Sequence, residues 1–264
     1  MSLRVAIAGA GGRMGQALIA ALSEAPGSDR ELELGAALEA AGHPALGREV
    51  SGVRIGSDVA AALRAADVLI DFTRPEGTID HLRACRQQGK AMVIGTTGFS
   101  AAQKKEIEEA AQAIPLVMAA NFAVGVNALY KLAETAARIL GEGYDVEIIE
   151  AHHRQKVDSP SGTALKLGEV ISQALNRKLS QVGRHGRHGE VGARPAGEIG
   201  FHAVRGGDIV GEHTVLFAGL GERIELTVRS QSRATYASGA LRAARWVRGR
   251  KPGLYDMNDV LGLK

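Results

Sequence analysis

Short apolar runs of β character alternate with stretches of helical period through the first half of the chain. Arg4–Ala8 is the first such run, followed by a glycine cluster and a helical stretch from Arg13 to about Ala25. Glu31–Leu38 reads as a second strand, and Ser57 as the cap of a helix over Asp58–Ala65. Asp67–Phe72, Ala91–Ile94 and Leu116–Ala120 are further strands, separated by helices over Glu76–Gln88 and Ser100–Ala113. Strands spaced by helices of this length predict βαβ units, a parallel sheet and right-handed crossovers. The pattern changes after Asn121. A long helix over Val124–Leu140 precedes the apolar strand Asp145–Ala151 and a helix over Ser161–Leu175. The segment Arg177–Gly197, rich in Gly, Arg and His, reads as a mobile loop. Ile199–Val204, Ile209–Phe217 and Arg223–Arg229 then follow closely, and their short Gly-containing links predict mixed or antiparallel pairing. A helix over Ala234–Val247 and a short tail finish the chain. The expected class is α/β, with a parallel-sheet domain over 1–123, a smaller α+β domain over 124–232, and a C-terminal segment, 233–264, that returns to the first.

Composition narrows the class. With 264 residues, 45% hydrophobic and 23% charged, the chain reads as a globular protein with a core of its own. Frequent glycine (34 residues) with only 4% aromatics suits an α/β enzyme with many tight turns better than an aromatic-rich binding module. A solitary Cys85 excludes an internal disulfide framework and a cysteine-based zinc cage. The net charge of +3 is too small to predict a nucleic-acid partner and suits an anionic small molecule equally well. The first apolar run is too short for a signal peptide. Ala110–Tyr130 carries no charge, but Gln112, Pro115, Asn121 and Asn127 interrupt it, so it reads as buried core and not as a membrane span. The expectation is a soluble, cytoplasmic protein.

The glycine cluster Gly9-Ala-Gly-Gly-Arg-Met-Gly15 lies between the first strand and the first helix. Met14 breaks the strict G-x-G-x-x-G spacing, and Gly9, Gly12 and Gly15 form G-x-x-G-x-x-G instead. The physical demand is similar: a tight turn, close backbone approach to a pyrophosphate, and open N–H groups at a helix N-terminus. Glu39, just past the second strand, is placed to hold an adenosine ribose hydroxyl. A carboxylate there favours NADH, while Arg13 is a candidate phosphate partner, so the residues alone leave both cofactors open. Two more strand ends, Asp71-Phe-Thr73 and Gly95-Thr-Thr-Gly98, permit close approach to ribose and nicotinamide, although turn chemistry alone also explains them.

The most unusual stretch is Glu150-Ala-His-His-Arg-Gln-Lys-Val-Asp-Ser-Pro-Ser-Gly-Thr163. His152 and His153 end an apolar strand, Arg154 and Lys156 add positive charge, and Ser161-Gly-Thr opens a helix behind Pro160. A helix N-terminus with a nearby histidine and lysine suits proton donation to a substrate with more than one carboxylate. Adjacent histidines on a strand face opposite ways and no cysteine or third histidine lies nearby, so no metal site is expected. The second cluster, His185-Gly-Arg-His188, reads as a solvated basic loop. A related dehydrogenase of the aspartate or homoserine type, or a non-enzymatic dinucleotide sensor, would share the glycine cluster without needing the His/Lys segment.

Together, Val5-Ala-Ile-Ala-Gly-Ala-Gly-Gly-Arg-Met-Gly15, Ile70-Asp-Phe-Thr73, Gly95-Thr-Thr-Gly-Phe99, Ala119-Ala-Asn-Phe122, Glu150-Ala-His-His-Arg154 and Gly206-Gly-Asp-Ile-Val-Gly-Glu-His213 resemble the 4-hydroxy-tetrahydrodipicolinate reductase family along the full chain. The resemblance implies a Rossmann-like dinucleotide-binding domain, a mixed-sheet substrate and oligomerisation domain, and a homotetramer. It implies reduction of a cyclic imine dicarboxylate by NADH or NADPH with loss of water, in lysine biosynthesis through diaminopimelate. Carried over residue by residue, Gly9, Ala10, Gly11, Gly12, Arg13, Met14, Glu39, Gly95, Thr96, Thr97, Ala119, Ala120, Asn121 and Phe122 would contact the cofactor. His152 matches the family's proton donor and Lys156 a second one, while His153, Gly162 and Thr163 match contacts to the substrate carboxylates. One departure stands out: many members follow the acidic residue with arginine, a 2′-phosphate partner, and here Glu39 precedes Ala40, which favours NADH.

Overall fold

The computed structural model describes residues 2–24 and 32–263, and the chain divides into two units, Met1–Val124 with Arg233–Lys264, and Gly125–Ser232. The first half runs β1 (Leu3–Ala8), α1 (Arg13–Glu24), β2 (Leu32–Leu38), β3 (Glu49–Val50), β4 (Val53–Gly56), α2 (Val59–Arg64), β5 (Val68–Asp71), α3 (Pro75–Gln88), β6 (Ala91–Ile94), α4 (Ala101–Ala111) and β7 (Pro115–Met118). Then come α5 (Val124–Leu140), β8 (Asp145–His152), α6 (Gly162–Ala174), α7 (Leu179–Val182), β9 (Gly183–His185), β10 (Ile199–Arg205), β11 (Gly211–Ala218) and β12 (Arg223–Ser230). The chain ends in α8 (Ala234–Val247), β13 (Gly253–Tyr255) and α9 (Met257–Leu261). Ala25 and Glu31, the predicted ends of the first helix and second strand, lie outside the described residues.

The first unit holds an eight-stranded sheet in the order β13-β7-β6-β5-β1-β2-β4-β3. Every pairing is parallel except the β3–β4 edge. Its central strands β1, β5 and β6 are buried on both faces, as parallel strands covered by crossover helices must be. Val5, Ile7, Val68 and Ile70 pack with Leu18 of α1 and Ala240 of α8. The alternate residues Ala6, Ala8, Leu69 and Met92 pack with Leu63, Leu82 and Ile107 from α2, α3 and α4. Strand order reverses between β1 and β5, which opens a crevice at their carboxyl ends, where such sheets bind ligands.

The second unit is a mixed five-stranded sheet, β12-β11-β8-β10-β9. β8 pairs parallel with β10 and antiparallel with β11. One face packs on α5 and α6 through residues such as Ala133, Leu167, Ile148, Val215 and Phe217. The opposite face carries Ile149 and Val204, which are 38% and 50% exposed.

Three expectations need correction. Asp58, not Ser57, caps α2: its side chain accepts from the Ala61 amide at 2.9 Å. The segment Arg177–Gly197 is not structureless, because it contains α7 and β9, and Arg187 and Arg194 both reach back to Glu147 on β8. The tail after α8 adds β13 to the edge of the first sheet beside β7 and closes with α9, whose N-cap Asp256 forms a capping box with Asp259.

Candidate active site

The glycine turn begins where β1 stops. Gly9 adopts φ +76°, a left-handed conformation open to glycine, and its amide and that of Ala10 both donate to the Leu38 carbonyl at the end of β2. A Cβ on Gly15 would stand 2.1 Å from the Gly9 carbonyl oxygen, so glycine alone lets α1 start this close to the turn. Gly11 is less confined: a Cβ there would meet side-chain atoms only, of His43 at 2.8 Å, Ala45 at 2.9 Å and Glu39 at 3.2 Å. Glu39 Oε1 accepts from the Gly11 amide at 2.9 Å and Oε2 from the Ala40 amide at 3.1 Å. The carboxylate predicted to face a ribose therefore also buttresses the glycine turn. Nearby, His43 was not singled out by sequence. Its Nδ1 accepts from the Ala45 amide at 3.1 Å, which leaves the ring's proton on Nε2.

At the end of β5 a fully buried carboxylate, Asp71, gathers donors. Oδ1 accepts from the Thr73 amide (2.8 Å) and hydroxyl (2.7 Å), and Oδ2 meets His81 Nδ1 at 2.6 Å. Burial pushes this carboxyl up, but the His81 and Thr73 hydrogen bonds outweigh it and hold it below the ordinary range. Thr96 belongs to the same cluster: its hydroxyl donates to Asp71 and accepts from Thr78 at 2.8 Å. The Thr96 side chain is thus turned inward, whereas Thr97 is exposed. Gly95 has a reason that sequence did not reveal, because a Cβ there would fall 2.1 Å from the Phe72 ring. That ring meets Phe122 edge-on at 5.6 Å, so Phe122, 1% exposed, points its side chain into the core. Ala119 is tied to the end of β6 through its amide and the Ile94 carbonyl. Ala120 is exposed, and Asn121 Oδ1 accepts from the Ala123 amide. The glycine turn and the ends of β5, β6 and β7 thus lie along the carboxyl edge of one sheet. Arg13 and Gly12 are exposed there, with Met14 half-buried.

In the second unit, Glu150 and His152 point to the helix-covered face of β8, while Arg205 on β10 and His213 on β11 are their strand neighbours. Glu150 is 1% exposed and accepts two hydrogen bonds from Arg205, both 2.7 Å, one from His152 Nδ1 at 2.6 Å, and one from the Ser161 amide at 3.0 Å. Burial pushes the Glu150 carboxyl up, yet Arg205, His152 and Ser161 together hold it ionised and below the usual carboxylate range. His152 donates through Nδ1, so its Nε2 is the nitrogen left for other chemistry. Burial lowers its pKa, and the adjacent Glu150 carboxylate only partly restores it.

Ser161 caps α6, its Oγ accepting from the Ala164 amide at 3.2 Å. Gly162 and Thr163 follow at the first helical positions, where amides have no acceptor inside the helix. His153 Nδ1 is buried without a hydrogen-bond partner among the described residues. Lys156 is ion-paired with Asp158 at 2.8 Å. Arg205 and Asp158, neither predicted from sequence, are linked in turn, since the Arg205 guanidinium also donates to the Asp158 carbonyl at 2.7 Å. Among the described residues no group of three or more His, Cys, Asp or Glu is placed to hold a metal ion.

Two family models cover almost the whole chain: dihydrodipicolinate reductase, N-terminus, over residues 3–122, and dihydrodipicolinate reductase, C-terminus, over residues 125–261. The chain belongs to the dihydrodipicolinate reductase family. It is 58% identical to the 4-hydroxy-tetrahydrodipicolinate reductase of Aromatoleum aromaticum over 100% of this chain and 97% of that one. It is 55% identical to the enzyme of the same name from Nitrosomonas europaea, covering 99% of each. A dipicolinate-bound dihydrodipicolinate reductase from Paenisporosarcina sp. TG-14 superimposes with a TM-score of 0.79 at 29% identity, over 97% of this chain and 98% of that one. Dihydrodipicolinate reductases are pyridine-nucleotide-dependent oxidoreductases acting on a small molecule. The turn at Gly9–Gly15 fits such a cofactor, since it is tight enough that a Cβ at Gly15 would meet the Gly9 carbonyl at 2.1 Å, and Gly12 and Arg13 stand exposed where α1 begins.

Proposed function

We propose that this protein reduces 4-hydroxy-tetrahydrodipicolinate to tetrahydrodipicolinate with release of water, as a cytoplasmic enzyme of lysine biosynthesis through diaminopimelate. The nicotinamide cofactor would lie over the glycine turn, its pyrophosphate at the start of α1, and would run along the ends of β5, β6 and β7. Bound there in its reduced form, it supplies a hydride. Glu39 holds the adenosine ribose. Its negative charge beside the uncharged Ala40 disfavours a 2′-phosphate, which makes NADH the preferred cofactor.

The net reaction replaces the ring hydroxyl by hydrogen and consumes one proton besides the hydride. The hydroxyl leaves as water with a proton from the adjacent ring carbon, and the hydride adds to the carbon it left. His152 delivers the one proton consumed from Nε2 to the ring nitrogen, which gives up its proton as the neighbouring ring carbon takes one and the imine is restored. Glu150 holds Nδ1 and fixes the orientation of the imidazole. Lys156 leaves Asp158 to act as the second donor. The first amides of α6, with Thr163 and His153, receive the substrate carboxylates. The observation that carries this reading is His152 itself: a buried imidazole on an ionised, buried carboxylate, next to the capped start of α6. Assembly as a homotetramer through the uncovered face of the second sheet, around Ile149 and Val204, belongs to the same proposal.

His152→Gln tests it. Turnover should fall by about a hundredfold to ten-thousandfold, the usual general-acid contribution, with the Kd for NADH unchanged by fluorescence titration. Equal loss of turnover and cofactor affinity would count against the acid role.

A further inference from the structure

His213 lies opposite Glu150 in the β8–β11 ladder and is 4% exposed. Its Nε2 is 3.0 Å from Ser161 Oγ. That hydroxyl already accepts from the Ala164 amide as the cap of α6, and the Ser161 amide donates to Glu150. The His213 ring meets the His152 ring at 5.1 Å between centroids and 75° between planes. One imidazole thus touches both the helix cap and the histidine read above as the proton donor. Its Nδ1 is buried with no partner among the described residues, an arrangement that an apolar residue would avoid.

The charged and titratable groups acting on it are His152 and Glu150 on β8 and Lys156 in the following loop. Burial first, and His152 next, push its pKa down to about 4. His213 is therefore neutral at neutral pH and can stand against a protonated His152 without a like-charge clash.

We propose that His213 is a positioning residue: a neutral ring that locks His152 to the capped start of α6, so that proton donor and carboxylate-binding amides keep one geometry. The inference rests on the reading of His152 and α6 given above. A leucine of similar size would fill the space but drop the Ser161 hydrogen bond. A glutamine would keep a neutral hydrogen-bonding group.

The experiment compares His213→Leu and His213→Gln with wild type in kcat, in the pH profile of kcat/KM, and in the Kd for pyridine-2,6-dicarboxylate by calorimetry. NADH titration and thermal unfolding report on folding. His213→Leu should lower kcat about tenfold to a hundredfold, a part of the full general-acid contribution. It should also weaken dicarboxylate binding and, by setting an apolar side chain against a ring whose pKa burial already lowers, move the high-pH fall of kcat/KM further down, with NADH binding intact. His213→Gln should recover part of each. Should the leucine variant not fold, the glutamine variant decides alone, through a smaller shift in the same three readouts. Wild-type kcat, profile and dicarboxylate Kd in either folded variant would overturn the inference while leaving His152 in place. Failure of the reaction itself would appear instead as wild-type protein that binds NADH and never turns over.

Discussion

Arg205 sends two hydrogen bonds to Glu150, and His152 and the Ser161 amide each send one, so an ionised carboxylate survives where almost no water reaches it. The consequence falls on His152. Burial makes it a stronger acid than a free imidazole, and Glu150 tempers that shift. A donor must be protonated, so kcat/KM should fall as pH rises through the His152 pKa, below the ordinary histidine range. Glu150→Gln removes the group that raises this pKa, and the fall should move to still lower pH. A pH–rate profile of both proteins checks the sign, and an upward move would contradict it. Sequence pointed to His152, His153 and Lys156 because rare residue types cluster on one short stretch. Arg205 escaped because it lies 55 positions from its partner Glu150, and only strand pairing brings them together. Thr96 was legible as a strand-end hydroxyl, but spacing does not say that the hydroxyl turns inward to Asp71.

At the scale of elements, long periodic segments were legible and short edge pieces were not. The helices over Val124–Leu140 and Ala234–Val247 start and stop where the pattern places them. β3, β4 and β13 have two to four residues each and owe their conformation to a neighbouring strand, so they carry no pattern of their own. The segment Arg177–Gly197 looked featureless because its anchoring is remote: burial pushes the Glu147 carboxyl up, but Arg187, Arg194 and His202 converge on it and lower its pKa to about 2. The start of α1 offers a sharp test. Gly15→Ala would press a methyl group onto the Gly9 carbonyl and the Ala10 α-carbon, and relief requires the turn to open. Overpacking of this kind costs about 1–3 kcal/mol, and NADH affinity should fall with it. Calorimetric unfolding together with NADH titration measures both, and unchanged affinity would argue against the turn as the pyrophosphate cradle.

Across the whole molecule, several buried ionisable groups share one pH signature. His213 is held neutral down to about pH 4, whereas in the unfolded chain it takes a proton near the ordinary histidine value of 6.5. Its contribution to stability is therefore complete above that value and lost as pH falls through this window. Asp71, Glu147 and Glu150 are held below their ordinary values, so their contributions are lost at lower pH still, for Glu147 down to about 2. Thermal unfolding followed from neutral pH downward should show a first loss from His213 together with His152, and a second, steeper one from the carboxylates. A flat curve through the first window would contradict the burial of both rings. The catalytic claim has a more direct test. Purified protein would be coupled to the synthase that makes 4-hydroxy-tetrahydrodipicolinate, and oxidation of NADH and of NADPH followed separately. Substrate-dependent oxidation, faster with NADH than with NADPH, is the expected result. A protein that binds cofactor but oxidises neither when substrate is supplied would contradict the assignment.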